Sequence, residues 1–144
     1  MRVPTSCVTA CVILAACQAG TEANTVDVSG RWAWTETLED RVHGFSCSDT
    51  GTYDISQMGD RFIGTYGQSG VCRTPTGPVD NADSGTVDAG RVVGHTVSFM
   101  VTANCEYDGA ASGMPPSQLT GHGTCVLQDG TRRITLTGAW RATR

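Results

Sequence analysis

From Val26 onward, apolar and polar residues alternate along the chain, and Gly, Asp and Asn interrupt the alternation. Val26, Val28, Trp32 and Trp34 share one face of the first alternating segment. Successive side chains of a β-strand point to opposite faces of the sheet, so a period of two indicates strands with one buried face. No segment keeps a helical period over even three turns. The pattern therefore predicts an all-β domain.

Turn-forming dipeptides divide the alternating segments into hairpins. Gly59-Asp60 lies between TYDISQM and RFIGTYG, and a two-residue loop there places Cys47 directly opposite Cys72. Counting outward from the turn makes this a non-hydrogen-bonded pair, in which side chains approach most closely. Asp129-Gly130 predicts a second hairpin of the same kind. Both hairpins favour antiparallel pairing of sequence neighbours.

Eight antiparallel strands follow from these divisions. They are predicted near residues 26–37, 48–57, 61–72, 84–88, 91–101, 105–108, 118–128 and 131–143. Sequential strands with hairpin-length connections are typical of an up-and-down β-barrel, and a ring of eight is just wide enough to be filled by side chains or to hold one small ligand. A β-sandwich is the structural alternative. Connections of such a barrel alternate between its ends, so the long loops 38–47 and 73–83 are expected at one rim.

Inward positions of the predicted barrel supply the candidate ligand-binding residues. Aromatic and titratable side chains at these positions could contact a molecule in the interior, or could form a plain core. The candidates are Trp34, Tyr53, Tyr66, His95, Phe99 and Tyr107. For the binding alternative we expect an interior cavity beside His95 and Tyr53 that opens at the rim with the two long loops.

The first 16 residues have the pattern of a secretory signal, because a short charged start precedes an apolar run from Cys7 to Ala16. As a helix this run would span about 15 Å, half of a hydrocarbon core of roughly 30 Å. Leu14-Ala15-Ala16-Cys17 closes the run and resembles the lipobox of bacterial lipoproteins. The resemblance implies cleavage before Cys17, a diacylglyceryl group on its sulfur, and lasting membrane attachment. The alternative is an ordinary secretory signal cut elsewhere.

The lipobox interpretation divides the chain into a signal peptide at 1–16, a lipidated Cys17 with a polar tether at 17–25, and a barrel domain at 26–144. It places the protein in the bacterial cell envelope. Gln18, where inner-membrane lipoproteins of enteric bacteria carry Asp, favours the outer membrane or cell surface. The expected partners are the membrane, through the lipid, and a small ligand or an envelope or host protein. A formal charge of −4 without a basic stripe argues against nucleic acid.

The same interpretation explains the odd number of cysteines, seven in all. Cys7 and Cys11 leave with the signal, and Cys17 carries the lipid. The remaining four are Cys47, Cys72, Cys105 and Cys125. Four cysteines in an exported chain most simply form two disulfides, with three possible connectivities. The predicted hairpin opposes the first two, and the last two fall near the same rim, so bonds between neighbouring strands are expected there.

Gly30-Arg31-Trp32 in the first strand and Trp140-Arg141 in the last resemble the calycin superfamily of lipocalins and avidins. In that superfamily a first-strand Gly-x-Trp packs against a basic side chain from near the closing strand. The resemblance implies a lipocalin-like barrel in which Trp32 and Arg141 form the pair near the closed end. It implies no particular ligand, because the second lipocalin motif and the C-terminal helix are not found in the sequence.

These observations predict non-covalent binding of one small, partly apolar molecule. The alternative is a protein-interaction or hydrolase-inhibitor module that acts through loops 38–47 and 73–83, since the stretch from Phe45 to Gly51 resembles a region of membrane-bound inhibitors of c-type lysozyme. We do not expect an enzyme, because the sequence has no Gly-x-Ser-x-Gly elbow and no carboxylate pair that stands out for glycoside hydrolysis. Cysteine and histidine spacing predicts no zinc site. No catalytic residue, metal or cofactor is therefore predicted.

Overall fold

The computed structural model describes residues 24–102 and 104–144, where all regular structure is β-strand. The strands are β1 (Gly30–Asp40), β2 (Phe45–Met58), β3 (Arg61–Thr74), β4 (Gly77–Asp80), β5 (Asp83–Val93), β6 (Thr96–Val101), β7 (Cys105–Ser112), β8 (Gln118–Asp129) and β9 (Arg132–Thr143). Within the described ranges, no helix is long and apolar enough to cross a membrane. The predicted signal peptide at 1–16, Cys17 and most of the tether at 17–25 lie outside the described residues.

Eight of the strands close into an antiparallel barrel. Strands that are neighbours along the chain pair with one another, and β1 pairs with β9 from Ala33–Thr143 to Glu39–Thr137, which closes the ring. β4 is the exception, because it pairs only with β3 and lies outside the ring. β3 instead continues the ring by pairing with β5. The prediction of an eight-stranded up-and-down barrel is confirmed, and ring closure rules out the β-sandwich.

The turn between the predicted strands 84–88 and 91–101 is not where the sequence predicts it. Ala89-Gly90 is not a turn but a bulge within β5, where the register with β6 shifts. The hairpin turn lies at Gly94-His95, with Val93 opposite Thr96. The side chain of Val93 is accordingly 53% exposed, whereas inward positions of these strands are buried. His95 therefore lies in an exposed turn, and its predicted place on the inner face is wrong.

Three two-residue hairpin turns share one local sequence feature. The turns at 59–60, 94–95 and 130–131 all begin with a glycine whose φ is between 60° and 63°. Glycine adopts positive φ without steric cost, and type II′ turns place it at this first position. The last turn therefore lies one residue beyond the predicted Asp129-Gly130, and strand partners shift by two residues. Because this shift is even, the same side chains still face the interior.

The rim is built as the topology predicts, but its loops are shorter. Of the predicted loop 38–47, only residues 41–44 form a turn, because Leu38 pairs with Cys47 and the ladder continues to Asp40 and Phe45. The predicted loop 73–83 contains β4, folded against the end of β3. We call residues 75–82 the β4 flap. The rim therefore carries one ordered flap and several tight turns.

The segment before β1 seals the opposite end of the barrel. Val26 and Val28 are buried there, and the side-chain amide of Gln57 holds both. It accepts a hydrogen bond from the Val28 N–H at 2.8 Å and donates one to the Val26 carbonyl at 3.1 Å. Trp32 is fully buried, and its Nε1 donates to the Val28 carbonyl at 2.9 Å. This end of the barrel is consequently closed, and the chain enters the domain from it.

Arg144, rather than the predicted Arg141, is the basic partner of Trp32. Its guanidinium carbon lies 4.4 Å from the centroid of the Trp32 ring. The guanidinium also donates to the backbone carbonyls of Asp27, Ser29 and Pro116. Alternation along β9 buries Trp140 and leaves Arg141 exposed on the outer wall, so Arg141 cannot reach the closed end. The predicted pair is wrong, but an arginine packed on the first-strand tryptophan is present.

The substitution Arg144→Ala is expected to lower the free energy of unfolding by about 1–2 kcal/mol, because it removes a cation–π contact and hydrogen bonds to carbonyls. Arg141→Ala, on the same strand end but outside, is the matched control and is expected to stay within about 0.5 kcal/mol of wild type. Urea unfolding of both variants measures the difference. Equal losses would contradict the assignment of Arg144 as the closing residue.

Candidate functional site

Aromatic side chains fill the interior toward the closed end. The Trp34 and Tyr53 rings stack with centroids 5.2 Å apart, and those of Phe99 and Tyr107 stack at 5.1 Å. Tyr53 and Trp140 meet Phe99 edge to face. Such offset and edge contacts are favourable arrangements of aromatic quadrupoles. These rings form the floor below the cavity described next.

A cavity of about 230 Å³ lies between this floor and the rim. We call it the rim cavity. Leu38, Val101 and Leu136 give it apolar wall, and the sulfurs of both disulfides also line it. Its polar lining comes from several strands and turns, with Glu36, Asp49, Tyr66, Gln68, Asn81, Asp83, Thr102, Asn104 and Tyr107 as its members. The predicted opening at the rim is present, but neither His95 nor Tyr53 lines the cavity.

Glu36 is a buried carboxylate of the rim cavity, directly opposite Asp49 in the β1–β2 ladder. It follows Trp34 by two residues on β1, so strand alternation turns it inward, and the residue is only 7% exposed. Its Oε2 accepts a hydrogen bond from the Tyr107 hydroxyl at 2.8 Å. The other carboxylate oxygen has no hydrogen-bond partner among the described residues. Burial raises the pKa of Glu36 to about 7, and the nearby Asp49 carboxylate also raises it, while the Tyr107 hydrogen bond opposes the shift.

Asp49 is a second buried carboxylate, and the β4 flap holds it. Both of its oxygens lie 3.0 Å from Asn81 Nδ2, and the Asn81 N–H donates in turn to the Gly70 carbonyl at 3.0 Å. A Cβ at Gly70 would lie 2.1 Å from Asp49 Oδ1, so glycine leaves the space for this carboxylate. Burial raises the pKa of Asp49, and the Asn81 hydrogen bond opposes the shift.

Asp83 forms the outermost acidic group of the cavity. It is exposed at the start of β5, and its Oδ2 accepts a hydrogen bond from the Tyr66 hydroxyl at 2.7 Å. The Tyr66 side chain is 5% exposed and carries its hydroxyl toward the mouth from an inward position of β3. The three carboxylates therefore occur at different depths, with Glu36 and Asp49 buried and Asp83 exposed.

The six predicted ligand-binding residues separate into three groups. Tyr66 and Tyr107 line the rim cavity, and Tyr107 is also part of the aromatic floor. Trp34, Tyr53 and Phe99 belong to the floor alone. His95 lies in the exposed turn at the other end, with its Nδ1 3.2 Å from the Ala111 carbonyl oxygen. The Trp34 indole Nε1 is the one buried side-chain nitrogen or oxygen in the described part that lacks a hydrogen-bond partner.

Sequence reasoning did not select Glu36 and Asp49, although one signal was available. Each is an acidic residue two positions after an inward side chain, Trp34 and Cys47 respectively, in a strand with period two. A charged residue at a position expected to be buried is a functional-site candidate. The inward aromatic residues are ordinary for a barrel core, whereas an inward carboxylate is unusual there.

Both disulfides are formed as expected from neighbouring strands. Cys47 bonds Cys72 and Cys105 bonds Cys125, and each pair is directly opposed in its hairpin. Cys47, Asp49 and Cys72 are the one described group of metal-ligating side chains with atoms within 4.8 Å of one another. The sulfurs of Cys47 and Cys72 are bonded to each other and offer no thiolate, so this group does not make a metal site.

No protein-family model matches this sequence, and searches of curated proteins and of solved structures also returned no match. The geometry and chemistry of the rim cavity are therefore the basis for a functional proposal.

Proposed function

We propose that this chain is a lipid-anchored protein of the bacterial cell envelope whose barrel binds one small, partly apolar molecule in the rim cavity, without chemical turnover. The observation that carries the proposal is the cavity of about 230 Å³ inside a closed barrel. At about 30 Å³ per water, this volume equals roughly seven or eight water molecules. Sites for drug-sized ligands occupy about 300–1,000 Å³, so the ligand is expected to be smaller than those.

The lining supports a ligand with both apolar and polar parts. Leu38, Val101 and Leu136 present hydrocarbon to the cavity, while Glu36 and Tyr107 present a hydrogen-bonded polar group at its base. Ligand sites commonly combine an apolar wall with a few convergent polar groups that fix orientation. The filled aromatic floor leaves no space for a long alkyl chain beside Tyr53, which argues against a fatty acid or a similar ligand.

The proposed anchor rests on Leu14-Ala15-Ala16-Cys17 and on the topology of the domain. Residues 24–29 reach the barrel at its closed end, and the rim cavity opens at the other end. A lipid on Cys17 would therefore leave the cavity facing away from the membrane. This arrangement suits a protein of the outer membrane or cell surface that receives its ligand from solution.

The substitution Cys17→Ser is expected to abolish incorporation of labelled palmitate and to release the protein from the membrane fraction, because lasting attachment requires the acyl chains on this residue. Cys11→Ser, within the same apolar run, is the matched control and should leave both properties unchanged. The measurement is fractionation with palmitate labelling in the bacterial cell. Membrane attachment and labelling that persist in Cys17→Ser would contradict the proposed anchor.

Ligand binding is tested by native mass spectrometry of the protein isolated from its own envelope, where a discrete small added mass is expected. Gln68→Trp places a large ring at an inward position of the cavity, and Ser69→Trp places it outside on the same strand. The first variant should lose the added mass and the second should retain it. A ligand retained equally by both variants would show that the rim cavity is not the site.

A second candidate function is a protein-interaction or inhibitor module that acts through the rim. Val42 in the 41–44 turn is 89% exposed, and Val79 on the β4 flap is 55% exposed, so two apolar side chains protrude there. Alanine substitution at Arg41 and Arg73, which flank these side chains, is expected to weaken capture of a polypeptide partner. Partner capture that persists in the double variant would count against this alternative.

A further inference from the structure

We propose that the ligand of the rim cavity is a small organic cation, an ammonium or guanidinium compound with a short apolar body, whose charged group binds the free oxygen of Glu36. The inference rests on the proposed function and deepens it by naming the ligand class. It is carried by the charge of the lining, by the incomplete hydrogen bonding of a buried carboxylate, and by the spacing of the acidic groups.

The lining of the rim cavity is negative without a compensating positive group. Glu36, Asp49 and Asp83 line it, whereas no arginine or histidine of the described residues does, and the chain contains no lysine. The ion pairs of the described part involve Asp40, Asp54 and other groups outside this lining. A walled cavity of one sign concentrates counter-ions, so the field at the mouth favours a cationic ligand.

Glu36 provides the binding group at the base of the cavity. Its residue is 93% buried, one oxygen accepts the Tyr107 hydroxyl, and the other has no partner in the described part of the chain. Burial removes most of the water around this carboxylate while only one neutral donor replaces it, and a charged donor from a ligand would compensate for the lost hydration. An ammonium or guanidinium group supplies such a donor, and hydrogen bonds between charged groups are stronger than neutral ones.

The other two carboxylates of the lining are held by neutral side chains, which leave their negative charge uncompensated. Asn81 fixes the Asp49 carboxylate at 3.0 Å, and the Tyr66 hydroxyl fixes that of Asp83 at 2.7 Å, nearer the mouth. Tyr66 and Tyr107 also line the cavity, and a hydroxyl that donates to a carboxylate can still accept a hydrogen bond from a cation. Leu38 and Leu136 offer apolar contact to the rest of the molecule.

The spacing of the carboxylates favours an organic cation over a metal ion. A metal ion requires several ligand atoms around one point, at about 2.0–2.6 Å for Mg²⁺ and Ca²⁺. Among the described residues, Glu36, Asp49 and Asp83 do not form a group with ligand atoms within 4.8 Å of one another. Glu36 and Asp49 are directly opposed on β1 and β2, whereas Asp83 is exposed at the start of β5. Such acceptors around a volume of about 230 Å³ match a molecule with several N–H donors or with one ammonium and an apolar body.

The pKa of Glu36, raised to about 7, adds a pH signature to this binding. The groups that interact with Glu36 are Asp49 on β2 and Tyr107 on β7, with Tyr53 also close enough to sense its charge. Only the ionised carboxylate attracts a cation, so affinity is expected to fall as pH is lowered from 8 to 6. Binding of the cation should in turn lower the pKa of Glu36 and release a proton.

The test compares probes that share a shape and differ in charge. Phenethylamine, phenethyl alcohol and phenylacetate, together with agmatine and putrescine, are titrated at pH 8 into the mature protein, with binding followed by native mass spectrometry and calorimetry. At least one amine is expected to bind more tightly than the neutral and acidic probes. Glu36→Gln should weaken amine binding by about tenfold or more, since a charge-assisted hydrogen bond is lost. Glu106→Gln, an exposed outward carboxylate on β7, is the matched control and should have no effect.

The outcomes separate this inference from the proposed function. Tighter binding of the alcohol or the acid, or amine binding that Glu36→Gln does not weaken, would overturn the cation assignment and leave the binding function standing. If no probe binds, the test is the charge of the molecule that co-purifies with the protein from its own envelope. A cationic molecule supports the assignment, and a neutral or anionic one overturns it. Absence of both probe binding and a carried molecule would overturn the proposed function itself.

Discussion

Replacing Cys47 and Cys72 together by alanine is expected to lower the free energy of unfolding by about 3 kcal/mol, since the bond closes a loop of 25 residues in the unfolded chain. Domains are stable by only about 5–15 kcal/mol, so this is a large fraction of the total. The two cysteines are directly opposed in the β2–β3 hairpin, and the bond constrains the strands at the rim. The loss should appear as a lower urea midpoint under oxidising conditions.

The second disulfide provides the comparison for this prediction. Cys105→Ala with Cys125→Ala opens a loop of 20 residues and is expected to cost a similar amount, about 3 kcal/mol. A variant without any of the four cysteines tests whether the effect is due to the bonds, because a reducing agent should destabilise wild type and leave this variant unchanged. A loss below about 1 kcal/mol for both pairs would show that ladder hydrogen bonds and core packing alone hold the rim.

The hairpins show how much of the fold local sequence can predict. At Gly59-Asp60, a turn with glycine first and alternation on both sides place Cys47 opposite Cys72, and the predicted pairing is confirmed. At Gly94-His95 the same kind of turn is not evident from the sequence, because Val93, His95 and Val97 continue an apparent period of two through it. The turn changes the inward positions from even-numbered, such as Val92, to odd-numbered, such as Val97, and the exposed Val93 hides this change in the sequence.

Gly90 explains why Ala89-Gly90 resembles a turn in the sequence but is not one. Packing requires glycine at this position, because a Cβ there would lie 2.4 Å from Cδ2 of the buried Phe62 ring. The glycine therefore marks a bulge and a close approach between strands. Sequence alone cannot separate this use of glycine from a turn, because the contact comes from β3, far along the chain.

The candidate site could be predicted only in part for a similar reason. Alternation correctly brings Tyr66 and Tyr107 into the interior, yet whether an aromatic residue lines a cavity or fills it depends on packing across the ring. Trp34 and Tyr53 fill it because Phe99, from the other side of the barrel, completes the floor. The Glu36–Tyr107 hydrogen bond joins residues 71 positions apart, a contact that no local pattern contains.

Between pH 5 and pH 8, Glu36 is expected to reduce the stability of the unliganded protein progressively. Its pKa is about 7 in the folded state against an ordinary value of 4.5, so the folded protein holds this proton more tightly than the unfolded chain. The stabilisation that protonated Glu36 contributes is fully present below pH 4.5 and is lost as pH rises through 7. The difference corresponds to about 3 kcal/mol. The raised pKa of Asp49 acts in the same direction, whereas the lowered pKa values of Asp27 and Asp40 act in the opposite one.

Urea unfolding at several pH values isolates this contribution when wild type is compared with Glu36→Gln. The glutamine keeps the size of the side chain and cannot ionise, so the variant should gain stability relative to wild type as pH rises from 5 to 8. Glu106→Gln, an exposed residue that lies next to Tyr107 in sequence, should follow wild type throughout. A constant difference between wild type and Glu36→Gln across this range would contradict the raised pKa.

The same experiment with a bound amine connects stability to the inferred ligand. A cation beside Glu36 stabilises the ionised carboxylate, which is the form that weakens the unliganded fold above pH 7. A binding amine should therefore raise the unfolding free energy more at pH 8 than at pH 5, and this dependence should vanish in Glu36→Gln. A stabilisation by amine that is equal at both pH values would place the cation elsewhere than beside Glu36.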